Sequence, residues 1–163
     1  TLAWLAYTYG TNGLPIDGRR PWSVNLIDER RILADAARAR RAGADAVLVA
    51  LHWGQEYQST PSAEQRALAE RLTRSPDITA IYGHHAHVVQ PIERINGTWV
   101  VFGLGNLLAD QATIAPGVDD GLMVRLVFRR GLDGRVKVVG RPGVVATRIV
   151  RDGGPHVVLA GDE

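Results

Sequence analysis

The sequence predicts an α/β chain in which two successive strand-helix-strand units are followed by antiparallel hairpins. Three observations predict it. Short apolar runs at residues 2–8, 46–51 and 78–82 alternate with two segments of helical periodicity. After Gln90 the pattern changes to β-prone runs separated by glycine-rich and Asn-Gly turns. Histidines follow the second apolar run directly and the third after one glycine, at strand ends where open α/β sheets bind ligands.

Residues 2–8 are apolar and β-prone, suited to a buried strand. The next dozen residues carry Gly10, Asn12-Gly13, Pro15 and Gly18, which is loop chemistry, and a loop leaving a strand end can wall a pocket. Asn12 is there either as a polar pocket residue or as the first half of an Asn-Gly turn. Residues 28–42 read as a helix. Ile32, Leu33, Ala36 and Ala39 recur at three-to-four spacing, while Arg30, Arg31, Arg38 and Arg41 mostly face water. Asp28 is placed to cap this helix and Gly43 to follow its end. Residues 46–51 form the near-continuous apolar run of a strand covered on both faces.

A second helix is expected from 60 to about 74, with Thr60 as N-cap, Pro61 at the first helical position, and Leu68 and Leu72 on the buried stripe. The strand at 78–82 follows. Two such units in succession imply parallel strands with right-handed crossovers. Residues 91–95 and 98–104 then spell a hairpin around Asn96-Gly97. Residues 121–129 and 135–150, joined by a turn at 131–134, form a second antiparallel pair, and 157–159 adds an edge strand. There is no repeat, low-complexity tract or internal boundary, so residues 1–163 read as one domain.

Composition narrows the chemistry. At 163 residues and 45% hydrophobic content the chain can bury a core. No run of 18 or more apolar residues suggests a membrane span. With no cysteine, disulfides, thiolate nucleophiles and cysteine-type zinc sites are excluded, so any metal must be held by nitrogen and oxygen. Of the 19 basic residues 18 are arginine, but they are scattered from Arg19 to Arg151 and balanced by 17 acids. Without a basic stripe or an aromatic ladder, nucleic-acid binding is not expected. The chain begins at Thr1 and enters a strand within one residue, as expected of a piece of a longer protein.

The chemistry concentrates at Tyr82-Gly-His84-His85-Ala-His87-Val-Val-Gln90, which holds three of the five histidines, and at His52-Trp53-Gly-Gln-Glu56-Tyr57. In an extended segment, residues two apart point the same way and lie roughly 6.6 Å apart, so His85 and His87 would face one pocket. Imidazole, with a reference pKa of about 6.5, is mostly neutral at pH 7 and ready to ligate. Glu56, four residues after His52, can act as an outer carboxylate. Asn106, on the flexible Gly103-Leu-Gly-Asn106 strand end, and Asp110 could reach the same pocket. His156, in a polar Gly-Gly-Pro-His tail, is left out.

These stretches, with Tyr7-Thr-Tyr-Gly-Thr-Asn12-Gly and Leu104-Gly-Asn106-Leu-Leu-Ala-Asp110-Gln111, resemble the successive signatures of the CapA family, associated with poly-γ-glutamate capsule synthesis. The resemblance runs from Leu2 to about Val150 and implies the C-terminal part of a calcineurin-like metallophosphatase fold, a four-layer α/β/β/α sandwich with the metal site at strand ends. It implies His52, His85 and His87 as ligands of one or two divalent ions (Mn, Fe or Zn), His84 as pocket lining, and Ala86 in the place of a usual proline. The N-terminal half, with its carboxylate ligands, is implied to be absent, which would leave a sheet edge and apolar face open to aggregation or dimerisation. The implied function is a metal-dependent hydrolase of phosphoryl or γ-glutamyl amide bonds, with Glu56 as base or orienting group and Asn106 as donor to substrate. The implied setting is the cell envelope, beside membrane-associated capsule proteins. The alternative is a non-catalytic module that binds the anionic polymer, using Trp53, Tyr57 and nearby arginines.

Overall fold

The computed structural model describes residues 1–111 and 114–161. Its strands and helices are β1 (Leu2–Thr8), α1 (Glu29–Arg41), β2 (Ala46–His52), α2 (Ala63–Thr73), β3 (Ala80–His84), β4 (Ile92–Ile95), β5 (Thr98–Val101), β6 (Asp120–Arg125), β7 (Phe128–Arg130), β8 (Val136–Val138), β9 (Gly143–Val150) and β10 (His156–Leu159). The main sheet has five strands in the order β1-β2-β3-β5-β4. Its first four are parallel and β4 is antiparallel to β5, so the α/β class is as the sequence predicts.

The helices form where capping and periodicity allow. Asp28 caps α1 by accepting from the Arg31 amide, and Gly43, at a φ of 95°, follows the end of α1 in a conformation that glycine adopts without steric cost. The start of α2 differs from expectation. Ser62, not Thr60, is the N-cap, and Pro61 precedes the helix. Ser62 and Gln65 each bond the other's backbone N–H, satisfying two helix-end donors at once. That Ser-x-x-Gln spacing outweighs the proline cue.

Ile32 and Ala36 of α1, and Leu68, Ala69 and Leu72 of α2, meet Val47, Val49 and Leu51 of β2 in one core cluster. Phe102, just past β5, is fully buried in it. On β1, Leu2 and Trp4 are 47% and 64% exposed, and β1 pairs with β2 on one side of the sheet's edge.

The β4–β5 hairpin turns at Asn96 and Gly97, both with positive φ, as the Asn-Gly pair predicts. The second antiparallel pair is split. β6 pairs with β9, β7 pairs with β8, and β10 pairs with the outer edge of β9. The Val139 amide donates to the Val127 carbonyl between the two ladders, so they form one long hairpin bent midway. The bend falls where Gly140 has a φ of 72° and Pro142 has no N–H to donate.

Candidate functional site

The candidate residues gather at the carboxyl ends of β2 and β3, where His52 and His84 are register partners. Two braces hold this end. Trp53, directly after His52, is buried, donates its indole N–H to the Phe102 carbonyl at 2.9 Å and stacks on the Phe102 ring. Trp53 is therefore a packing residue and is not available to bind a polymer. The Tyr57 amide donates to the Ala86 carbonyl at 2.7 Å, tying the loop after β2 to the loop after β3. Ala86 is itself buried with Val88 and Val118, so packing fixes the position where the CapA pattern usually has proline.

The histidine loop is not extended as the spacing argument assumed. β3 ends at His84, and His85 and His87 follow with φ of 93° and 59°. Backbone in this region costs non-glycine residues about 1–3 kcal/mol and is found where the surroundings over-determine it, functional sites prominent among them. As a result the two side chains enter different groups. The His85 ring lies 4.7 Å from that of His52 and 4.5 Å from that of Tyr9. His87 instead faces Tyr57, Glu56 and Asn106, with Glu56 Oε1 3.8 Å from His87 Nε2. His84 is exposed and stands edge-on to Tyr82.

Asn106 has a definite orientation. Its amide nitrogen donates to Gln111 Oε1 at 3.0 Å and to the Val118 carbonyl at 2.9 Å, which uses both hydrogens. Its Oδ1, 2.9 Å from His87 Nδ1, must therefore accept, which places the proton on Nδ1. His87 Nε2 is then the ring nitrogen on the side of Glu56. Asn106 thus sets the His87 tautomer, as outer partners of metal-ligating histidines do, and keeps no hydrogen for a substrate.

Two other residues are placed. Asp110 is exposed and faces Arg151 at 3.7 Å, away from the histidines. Asn12, at a φ of 52° in its Asn-Gly turn, accepts from the Tyr9 hydroxyl at 2.6 Å. Tyr9 was legible only as part of a loop wall, yet its ring covers both His52 and His85. It also lines, with Trp53, Ser62 and Gln65, a cleft of about 470 Å³ beside His52.

Burial pushes the His52 imidazole below its ordinary pKa, and the nearby His85, His84 and His87 push it further, against Glu56. Burial also lowers His85, with Glu56 opposing and His87 adding. Both groups are thereby neutral and ready to ligate at pH 7. The unfolded chain then binds more protons than the folded chain below about pH 6.5, so stability falls as pH drops through that value towards the lowered folded-state pKa values. The metal-free chain is expected to show a lower urea midpoint at pH 5.5 than at pH 7.5. The fall should be smaller in the His52→Gln/His85→Gln variant; an equal fall would assign the pH effect to other groups.

As a metal centre the set fits in part. Three imidazoles and a carboxylate match Mn, Fe or Zn in donor type. The His52–His85 spacing allows two rings to share one ion. Among the described residues, however, no group of three or more His, Asp or Glu side chains is close enough to hold an ion. The arrangement is two donor pairs, His52 with His85 and His87 with Glu56, each needing further ligands.

Fold and site together define a mixed α/β protein with a histidine-rich parallel-strand end. The family model described as bacterial capsule synthesis protein PGA_cap matches residues 1–111, and the chain belongs to this family, the CapA family. The PGA biosynthesis protein CapA of Bacillus subtilis is 41% identical over 96 residues, which are 58% of this chain and 24% of that protein. The capsule biosynthesis protein CapA of Bacillus anthracis is 38% identical over 80 residues, 48% of this chain and 19% of that one. A probable polyglutamine synthesis accessory protein of Mycobacterium tuberculosis is 30% identical over 98 residues, 59% of this chain and 24% of its own. The matched part thus spans about a quarter or less of these relatives' length. Among solved structures, the sulfate thiohydrolase SoxB of Thermus thermophilus is similar at a TM-score of 0.48 and 23% identity, over 85% of this chain and 22% of that one. No helix of the described residues is long and apolar enough to cross a membrane.

Proposed function

We propose that this segment supplies the histidine side of a divalent-metal site in a capsule-synthesis protein that hydrolyses phosphoryl or γ-glutamyl amide bonds related to poly-γ-glutamate. The observation that carries the reading is the placement of two donor pairs, His52 with His85 and His87 with Glu56, at neighbouring strand ends, with Asn106 orienting the His87 ring through Nδ1. His52 and His85 would ligate one ion and His87 would contribute to the same ion or a neighbouring one. The missing ligands would come from segments of the full-length protein beyond these residues. A divalent ion bound there would supply Lewis acidity. Glu56 would serve beside it as a base or orienting group, while Asn106 holds the orientation of the His87 ring. The names of the relatives support a role in capsule polymer synthesis and agree with a polymer-related substrate.

Calorimetric titration with Mn²⁺ and Zn²⁺ tests the metal assignment. The parent chain is expected to bind, and the His85→Ala/His87→Ala variant to lose at least about 100-fold in affinity, as removing ligands exceeds the 10- to 100-fold cost of losing their outer partners. Equal affinity in the two proteins would overturn the assignment. If neither binds, repeating the pair of titrations on full-length protein distinguishes an incomplete half-site, which gains affinity there, from a site that holds no metal.

A further inference from the structure

The parallel strands have a second, chemically different end. About 20 Å from His52 along β2, at about 3.3 Å per residue, the bent tip of the long hairpin lies over the start of β2, β3 and β5. Trp99 donates its indole N–H to the Gly140 carbonyl at 3.2 Å, and Arg130 pairs with Asp45, which ties this tip to the sheet. Between them is a cleft of about 1280 Å³ lined by Arg40, Arg74, Arg94, Arg135, Lys137 and Arg141, against only two acids, Asp45 and Asp77.

The cations divide by commitment. Arg40 is fixed, donating to the Asp77 carbonyl at 2.9 Å and Thr79 Oγ1 at 2.8 Å. Lys137 is held by Asp133, and Arg94 lies over the Trp99 ring and donates to the Gly97 carbonyl. The guanidinium groups of Arg74, Arg135 and Arg141 are exposed and have no ion pair or hydrogen bond among the described residues. Asp45 is already engaged by Arg130. Burial lowers the Arg40 pKa, with Asp77 opposing and Arg135 adding to the fall. The six cations of the cleft thus outnumber its two acids, and three of them, Arg74, Arg135 and Arg141, present exposed planar forks of the kind that bind carboxylates through paired hydrogen bonds.

We propose that this cleft is a separate binding site for an anionic polymer bearing repeated carboxylates, which it holds at the end of the sheet opposite the histidines. Several cations along an open cleft suit a chain of charges better than one compact anion. A single-stranded nucleic acid fits less well: such sites present aromatic platforms for stacking, and the one indole here has its N–H donated and a face covered by Arg94. That the polymer is poly-γ-glutamate rests on the capsule reading above; the anion site itself does not.

The test is fluorescence anisotropy of a labelled poly-γ-glutamate oligomer titrated with the chain at low and high salt. The parent is expected to bind, less tightly as salt rises, and the Arg74→Gln/Arg135→Gln/Arg141→Gln variant to bind about tenfold or more weakly. The three side chains are exposed and without partners among the described residues, and a circular dichroism spectrum matching the parent's checks that the variant folds. The Arg30→Gln variant, at an exposed position on α1 outside the cleft, is expected to bind the oligomer like the parent. Undiminished binding by the arginine variant, no binding by the parent at low salt, or equal affinity for an oligonucleotide of matched charge would each overturn the proposal. Loss of metal binding alone leaves this result in place, so failure of the hydrolase reading is read separately.

Discussion

Gly83→Ala is expected to destabilise the chain by about 3 kcal/mol or more, at the upper end of what overpacking a core costs. A Cβ at Gly83 would overlap the Phe102 carbonyl oxygen and the Trp53 indole nitrogen. Neither can move away cheaply. The Phe102 carbonyl accepts the Trp53 N–H, the Phe102 amide donates to the Pro91 carbonyl, and the Leu104 amide donates to the carbonyl of Gly83 itself. The obstacle is thus backbone hydrogen-bonded on several sides, with Trp53 wedged between it and β3. Urea unfolding measures the cost. Gly10→Ala, where an added Cβ meets nothing within 4 Å, serves as control and should stay within about 0.5 kcal/mol of the parent. A Gly83→Ala chain as stable as that control would show that the brace yields.

Phe102→Ala is expected to cost about 3–5 kcal/mol, the usual range for emptying a buried aromatic site. Phe102 is fully buried, its ring stacks on Trp53 with centroids 5.7 Å apart, and Arg66 covers it at 5.4 Å. Phe102→Leu keeps much of the volume and should cost under about 2 kcal/mol, leaving a folded chain for metal titration. A loss below about 1 kcal/mol in the alanine variant would mean that the cavity collapses freely and that Trp53 does not depend on this stack. Because Trp53 directly follows His52, both variants also test whether the histidine end is positioned by this packing.

Much of the fold is legible residue by residue because it follows from local preferences. Asp28 before the periodic Ile32 and Ala36, Gly43 after them, and the Asn96-Gly97 turn each state a conformation in two to four residues. Where two local cues compete, reading is weaker. Thr60-Pro61 and Ser62-x-x-Gln65 both announce a helix start, and the second prevails because it makes two reciprocal hydrogen bonds. The sequence marks the strand ends where His52, Glu56, His85, His87 and Asn106 lie, since histidines follow apolar strands there. Their grouping is not marked. Positive φ is uncommon even for histidine, which adopts it more readily than most residues, so nothing in the Gly-His-His-Ala-His string announces that His85 turns to His52 and His87 to Glu56.

By itself, then, the sequence determined the alternation of strands and helices, the family, and which residues are candidates for the chemistry, because each depends on short-range propensity or on residue type. Tertiary structure alone decided the rest. The two hydrogens of Asn106 are consumed by Gln111 and Val118, five and twelve residues away, and that sets the His87 proton. Arginines that read as scattered from Arg19 to Arg151 become one cationic cleft because the bend at Gly140 to Pro142 lays a hairpin over strand ends distant in sequence. Contacts of this kind join residues tens of positions apart, and no local pattern encodes which of them will meet.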